Sequence, residues 1–223
     1  PTATRFHVAP TLSMPIRAAW GEFVAETTVL QTVYKQENIQ DTDLEENVER
    51  TLGQARLFGA LYFEKDSSWF GHDTAMTLEP KIQYLYTSYE DQTAIGLYDS
   101  TPLLTDVEGL FRGQEFTGLD RISDNNQVTL GITSRILDKN NREQFVLSLG
   151  QIFYLEDNKV IAATKNQDRS ALAAEMDWRF NKNWYAHSDI QVTTDTDKVD
   201  LSSVGLEYRQ DAKRFIQLSH RYV

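Results

Sequence analysis

Hydrophobic and polar positions alternate along most of the chain. From 4 to 16 the even positions read Phe6, Val8, Pro10, Leu12, Met14, Ile16, and the odd ones Arg5, His7, Ala9, Thr11, Ser13, Pro15. Successive side chains of a strand point to opposite faces, so a period of two predicts a strand with one apolar and one polar face. The pattern recurs at 22–35 (Phe23, Ala25, Val29, Val33), 51–63 (Leu57, Gly59, Leu61, Phe63) and 74–86 (Met76, Leu78, Ile82, Tyr84, Tyr86). It continues at 126–137, 143–155, 170–180, 184–193, 201–208 and 214–222. About ten strands are predicted, most near the ~9–11 residues of a tilted membrane-spanning strand. No segment has a convincing helical period. The best candidate, 41–52, has Leu44, Val48 and Leu52 four apart and is expected to be a loop with at most one or two helical turns.

Short connections (17–21, 138–142, 181–183, 209–213, and a moderate one at 64–73) take turns with long ones (36–48, 87–124, 156–169, 194–200). Outer-membrane barrels alternate in this way, with tight periplasmic turns and long extracellular loops, whereas a soluble sandwich has no reason to. On that rule the first strand runs toward the periplasm and the last runs outward. Trp20, Trp178, Phe180, Trp184 and Tyr185 fall at short turns, and Tyr34, Tyr84, Tyr86, Phe153 and Tyr154 beside long loops. Two aromatic girdles at the membrane interfaces are expected.

Composition narrows the picture further. The chain has 22 Lys+Arg against 33 Asp+Glu, a net charge of −11, which disfavours non-specific nucleic-acid binding. With no Cys, this segment can build neither a disulfide nor a thiolate metal site. No apolar run approaches a membrane-spanning helix. The mean hydropathy of −0.48 does not separate a soluble protein from a barrel, because barrel strands are half polar. The first residue is Pro1 with no leader before it, so the chain reads as a mature piece or an excised fragment.

Residues 77–86 (TLEPKIQYLY), 98–100 (YDS), 109–138 (GLFRGQEFTGLDRISDNNQVTLGITSRILD), 147–157 (LSLGQIFYLED), 205–211 (GLEYRQD) and 216–222 (IQLSHRY) resemble, in order and spacing, the LptD (OstA/Imp) family. The likeness covers nearly the whole chain and is strongest over 77–157. It implies an all-β fold: an antiparallel up-and-down transmembrane β-barrel segment, about ten strands of a larger outer-membrane barrel. Residues 1–223 would then form part of a single barrel domain in the outer membrane of a Gram-negative bacterium. The family's N-terminal periplasmic jelly roll, its disulfide cysteines and its C-terminal closing strands, and with them the lateral gate, would lie elsewhere. The resemblance further implies a non-enzymatic role in lipopolysaccharide transport and insertion, with no cofactor and no metal. The implied partners are the lipoprotein plug LptE, lipopolysaccharide, the periplasmic LptA bridge through the absent domain, and the barrel-assembly protein BamA during folding.

Several constellations have more than one reading. His187 and Asp189 lie two apart on a polar face. They could orient a general base, as in a ten-stranded omptin-like protease, or form a hydrogen-bonded pair on the lumen wall. The mid-wall position favours the second. His7, His72 and His220 lack ligand spacing. The polar faces carry Glu79, Lys81, Arg135, Glu175, Asp177, Arg179, Glu207 and Arg221, which read as a solvated lumen wall or as contacts to LptE or to substrate sugar and phosphate. Arg135, Arg179 and Arg221 are the phosphate candidates, since guanidinium binds phosphate through two parallel hydrogen bonds. The 87–124 segment is too long for a plain connection. Its Arg112, Phe116, Asp120 and Arg121 make it either a structural lid or an LptE contact, with Asp120 and Arg121 able to fix it by charge-assisted hydrogen bonds. Asp195, Asp197 and Asp200 resemble the start of a calcium loop but lack its Gly and distal Glu, so a polar turn is expected. Pro10, Pro15 and Pro80 are expected at bulges or weak pairing. A soluble all-β carbohydrate-binding protein is a further alternative.

Overall fold

The computed structural model describes residues 2–39, 43–103, 106–161, 167–193, 198–211 and 213–222. Its strands are β1 (Thr2–Val8), β2 (Thr11–Ala18), β3 (Gly21–Glu37), β4 (Asn47–Leu61), β5 (Phe63–Trp69), β6 (His72–Thr87), β7 (Asn125–Leu137), β8 (Glu143–Tyr154), β9 (Leu172–Arg179), β10 (Trp184–Thr193), β11 (Lys198–Arg209) and β12 (Phe215–Tyr222). All twelve join one antiparallel sheet in the order β1-β3-β4-β6-β7-β8-β9-β10-β11-β12, with β2 also on β3 and β5 also on β6. The sheet is open: β1 and β2 at one edge and β12 at the other pair on one side only.

The twelve strands occupy ten positions, the number the alternation predicts. β1 and β2 are one strand broken at Ala9–Pro10, and both pair with β3. β4 and β5 are one strand broken at Tyr62, and both pair with β6. Pro10 lies in the first break. Pro80 lies opposite the second, where the ladder from Ala60↔Lys81 stops before it resumes at Phe63↔Leu78. Each proline lacks the amide a continuous ladder would use, so the interruptions fall beside them. Pro15 is carried inside β2, which is at the sheet edge.

Two expectations are corrected. The 41–52 stretch contains no helix among its described residues. β4 begins at Asn47, because pairing of Asn47–Leu52 with Leu30–Lys35 overrides the four-residue spacing of its leucines. The 64–73 stretch is not a connection but the end of one hairpin. β5 and β6 close through a two-residue turn, Phe70 (φ 47°) and Gly71 (φ 78°), the doubly left-handed turn that suits the twist of paired strands. Similarly, β11 starts at Lys198, which places Asp200 in a strand, while Asp195 and Asp197 lie outside the described residues.

Burial is inverted relative to a water-soluble domain. One face of the sheet leaves Phe6, Leu12, Met14, Ile16, Leu57, Leu78, Ile82, Leu130, Ile132, Leu147, Val204, Ile216 and Leu218 exposed. In register these form rows such as Phe23–Gly59–Ile82–Leu130. The opposite face buries Thr32, Gln36, Arg50, Gln83, Thr87, Gln127, Thr129 and Thr133. Among the described residues there is no second sheet and no helix beyond the short 3-10 turn Gly109–Phe111, so no protein layer covers the apolar face.

The tight-turn rim carries a belt of rings on that exposed face. Trp69 contacts Phe70 (5.1 Å between centroids) and Phe145 (5.8 Å), Phe145 meets Trp178 (6.3 Å), and Trp178 meets Phe180 (4.0 Å). Trp184 packs on Tyr208 at 4.9 Å further round. At the opposite rim the expected girdle is thinner. Tyr84, Tyr86 and Phe153 share the apolar face, but Tyr34 and Tyr154 point the other way, because Tyr34 pairs across β4 with Val48 and Tyr154 pairs with Gln127 of the polar face.

Candidate functional site

The polar face is filled by the chain between β6 and β7. Residues 88–124 leave the wall after Thr87, fold back over β3, β4 and β6–β9, and rejoin it at Asn125; of these, 104 and 105 are outside the described residues. Two quite different attachments hold this segment.

The first is polar and centres on Asp120, which is fully buried. Its Oδ2 accepts the backbone amides of Tyr98 and Asp99, both at 2.6 Å. Its Oδ1 accepts Arg5 Nη1 at 3.1 Å and the Tyr34 hydroxyl at 3.3 Å. Arg5 reaches Asp99 as well, at 2.7 Å, and this guanidinium holds the Asp99 carboxyl well below the usual carboxylate range. Beneath it Arg50, 1% exposed, donates to Gln92 Oε1 (2.8 Å), to the carbonyls of Asp120 (3.2 Å) and Leu119 (2.5 Å), and to Thr32 Oγ1 (3.4 Å). Gln36 completes the set, donating to the carbonyl of Ala94 (2.8 Å) and accepting the Gly96 amide (2.8 Å). Buried polar groups cost free energy unless bonded, and here wall side chains satisfy loop backbone.

The second attachment is apolar. Leu110 and Phe111 of the 3-10 turn press onto β7 and β8 where Gly131 and Gly150 stand opposite each other. A Cβ on Gly131 would lie 2.8 Å from Phe111 Cζ, and one on Gly150 2.9 Å from Leu110 Cδ1. The glycine pair is therefore a dent in the wall that only hydrogen side chains leave open. Val107, Leu110, Ile152 and Ala173 form a small buried cluster there, with Phe111 and Tyr154 against it. Phe111 also meets Phe58 edge-on at 6.2 Å and takes the Lys81 ammonium over its ring at 4.6 Å.

The sequence-selected residues separate accordingly. Asp120 and Arg121 fix the loop. Arg121 donates to the carbonyls of Asp120 (3.0 Å) and Ile95 (2.9 Å). Arg112 pairs with Asp106 at 3.1 Å. Phe116 bridges to Pro102, and both line, with Arg112, Tyr154, Gln191 and Asp200, a cavity of about 580 Å³ between loop and wall at the long-connection rim. Arg135, Arg179 and Arg221 are not brought together. Arg135 is engaged by Glu79 (3.0 Å) and Glu143 (2.5 Å). Arg179 is exposed at the tight-turn rim. Arg221, opposite Ser203, lines a polar hollow with His187 and Asp189 near the open β12 edge. Both ring nitrogens of His187 face carboxylates, Asp177 at 2.8 Å and Asp189 at 3.6 Å, and Ser203 donates to Asp189 rather than to the imidazole. Among the described residues, no hydroxyl hydrogen-bonds the imidazole.

Arg50, Gln36 and Gln92 escaped the sequence reading, and Tyr34, expected in an interface girdle, instead holds the loop through its hydroxyl. The signal for Arg50 was present: continuing the β4 period backward from Leu57 and Leu61 puts residues 48, 50, 52 and 54 on the inner face.

A family model described as LPS transport system D matches residues 1–223. The chain belongs to the LptD family. The LPS-assembly protein LptD of Pseudoalteromonas atlantica is 66% identical over all of this chain and 29% of its own length. The LptD of Shewanella oneidensis is 46% identical over all of the chain and 30% of its own length, and that of Shewanella frigidimarina 46%, with the same coverage. The chain thus spans about a third of the LptD relatives it matches.

Proposed function

We propose that this chain is part of the wall of an outer-membrane barrel that transports lipopolysaccharide to the cell surface, residues 1–223 being one stretch of a single barrel domain. The observation that carries it is the inverted burial. Leucines and isoleucines face outward with nothing on them, while threonines, glutamines and an arginine are buried inside. That arrangement is stable where hydrocarbon covers the outside. The tight-turn rim is the periplasmic one and the long-connection rim the extracellular one, by the barrel rule. The printed name of the relatives supplies the cargo. Lipopolysaccharide sugars and phosphates would meet the inner wall, with LptE as plug, LptA delivering from the periplasm to a domain outside this chain, and BamA acting in assembly.

Within this reading the 88–124 segment is a fixed lid. Asp120 and Arg121 position it, and Arg112, held by Asp106, and Phe116 line the rim cavity, where LptE or the saccharide would meet them. Photoreactive side chains at positions 112 and 116 of the full-length protein, illuminated in cells, are expected to give adducts with LptE or lipopolysaccharide. Absence of adducts at both 112 and 116 would count against the lid as a contact surface.

A further inference from the structure

The sheet has an unpaired edge in its interior, at the tight-turn rim. β3 begins at Gly21, opposite Leu61, and is reached from β2 through the turn Ala19–Trp20. On the next strand β5, Phe63–Trp69, runs on for seven residues past that turn and pairs only with β6. The parity of the ladder says which groups are left over. Trp69 and His72 flank a two-residue turn and so bond each other, and Ser67↔Thr74, Lys65↔Met76 and Phe63↔Leu78 follow in step. Glu64, Asp66 and Ser68 therefore point their N–H and C=O groups away from β6. Tyr62, in phase with them, donates its amide to the Trp20 carbonyl at 2.8 Å. Beyond it, among the described residues, nothing bonds this edge. A strand added outside β1 and β2 would stand two strand widths, about 10 Å, from β5. Continuing the strand order therefore does not fill the gap.

β5 carries neither a proline nor a bulge, two of the devices that keep an edge from pairing. Its side chains are sorted by face. Glu64 and Asp66 share the polar face, both exposed and without an ion pair among the described residues, while Phe63 and Trp69 lie on the other face. We propose that an extended segment of the same polypeptide, from outside residues 1–223, pairs with Glu64–Ser68 and fastens that part of the protein to the wall. An added strand alternates its side chains as β5 does, so it presents Lys or Arg to Glu64 and Asp66 and an apolar residue beside Phe63 or Trp69. An open edge invites wrong pairing at all times, so its cover is a permanent one. The chain spans 29% of its Pseudoalteromonas atlantica relative, which leaves length enough in the same polypeptide for such a segment.

The test uses the full-length protein in nanodiscs. Hydrogen exchange resolved to single amides should show 64, 66 and 68 protected at least about a hundredfold over their intrinsic rates, as 65 and 67 are by β6. Benzoylphenylalanine at Ser68, illuminated and mapped by mass spectrometry, should join a peptide of the same polypeptide from outside 1–223. E64K combined with D66K should cut that yield by about tenfold, the scale of reversing two cross-strand charge pairs. D66P, which deletes an edge-directed amide and spares the β6 ladder, should do the same while 65 and 67 stay protected. Exchange at 64, 66 and 68 at intrinsic rates would mean a bare edge blunted by its charges. Adducts only with another protein or with lipid would give the edge a different occupant. A yield unmoved by either variant, with 65 and 67 still protected, would mean contact without pairing. Each of these three results overturns the proposal, and none bears on the apolar face that carries the barrel-wall reading.

Discussion

Asp120 accepts from four donors: two backbone amides on one carboxylate oxygen, a guanidinium and a hydroxyl on the other. A carboxylate can satisfy all four because it accepts on every lone pair. An amide must turn its NH2 toward one pair of donors. Asp120→Asn is therefore expected to be nearly as damaging as Asp120→Ala, each loosening the 88–124 segment by roughly 3 kcal/mol, the scale of breaking a buried charge-assisted network. Arg50→Met should cost a similar ~3 kcal/mol, since it strips donors from the buried carbonyls of Leu119 and Asp120 and leaves Gln92 half-bonded. Arg5→Ala is expected to be milder, about 1 kcal/mol, because both Arg5 and its nearer partner Asp99 are partly in water at 27% and 39% exposure. Limited proteolysis of the folded protein within 88–103 reads all four. Asn behaving like wild type at 120 would mean that the loop is not held through this carboxylate.

At the scale of elements, the rim is fastened by loop-to-loop contacts as well as to the wall. Asp124 accepts the amides of Lys159 (2.9 Å) and Val160 (3.0 Å), and Asn158 donates to the Asp124 carbonyl at 2.6 Å, so the 155–161 connection is tied to the end of the lid. Glu115 lies near this knot. Burial first, and the negative charge of Asp124 second, push its carboxyl up to about 7. The sign of the consequence follows from linkage. Between the ordinary glutamate pKa and 7 the folded protein holds a proton that the unfolded chain has released, so stability is full below about 4.5 and declines as pH rises through 7. Amide protection factors in 106–117, corrected for the intrinsic exchange rate at each pH, should accordingly be higher at pH 5 than at pH 8, and Glu115→Gln should remove the difference. An unchanged pH dependence in that variant would refute the assignment. These attachments explain what sequence could and could not disclose. Alternation located the ten strand positions because the period-two rule is local: each position needs only its own neighbours. The break at Tyr62 and the turn at Phe70–Gly71 were missed because polar Glu64, Lys65 and Asp66 mask the alternation in β5. The long 88–124 segment stands out in the sequence by its length and its Asp120–Arg121 pair, but the surface it sits on does not. Arg50 with Leu119 and Gly131 with Phe111 join residues far apart in sequence, and nothing in either segment alone announces the other.

For the whole molecule, the decisive quantity is what touches the exposed apolar face. β3, β4 and β6 have 17, 15 and 16 residues, more than the ~9–11 that cross a bilayer, so this part of the wall continues past the hydrocarbon. The outward side chains change where it should emerge. Leu57, Leu61, Ile82 and Leu130 occupy the middle, whereas Gln31, Lys35, Glu49 and Thr51 take over toward the long-connection rim. The aromatic belt of Trp69, Phe145, Trp178 and Trp184 marks the other boundary. A charge placed along this axis therefore measures depth. Leu130→Arg is expected to cost about 2–4 kcal/mol of folding stability in bilayers, and Thr51→Arg about 0–1, because hydrocarbon penalises a guanidinium at the midplane and barely at the surface. In water the two sites would respond alike, since Leu130 is already 45% exposed and an arginine there displaces nothing. Equilibrium unfolding of the full-length protein from lipid vesicles separates the cases. A cost at 130 no larger than at 51 would mean that water, or another protein, covers these leucines, and the barrel-wall reading of this LptD segment would fail with it.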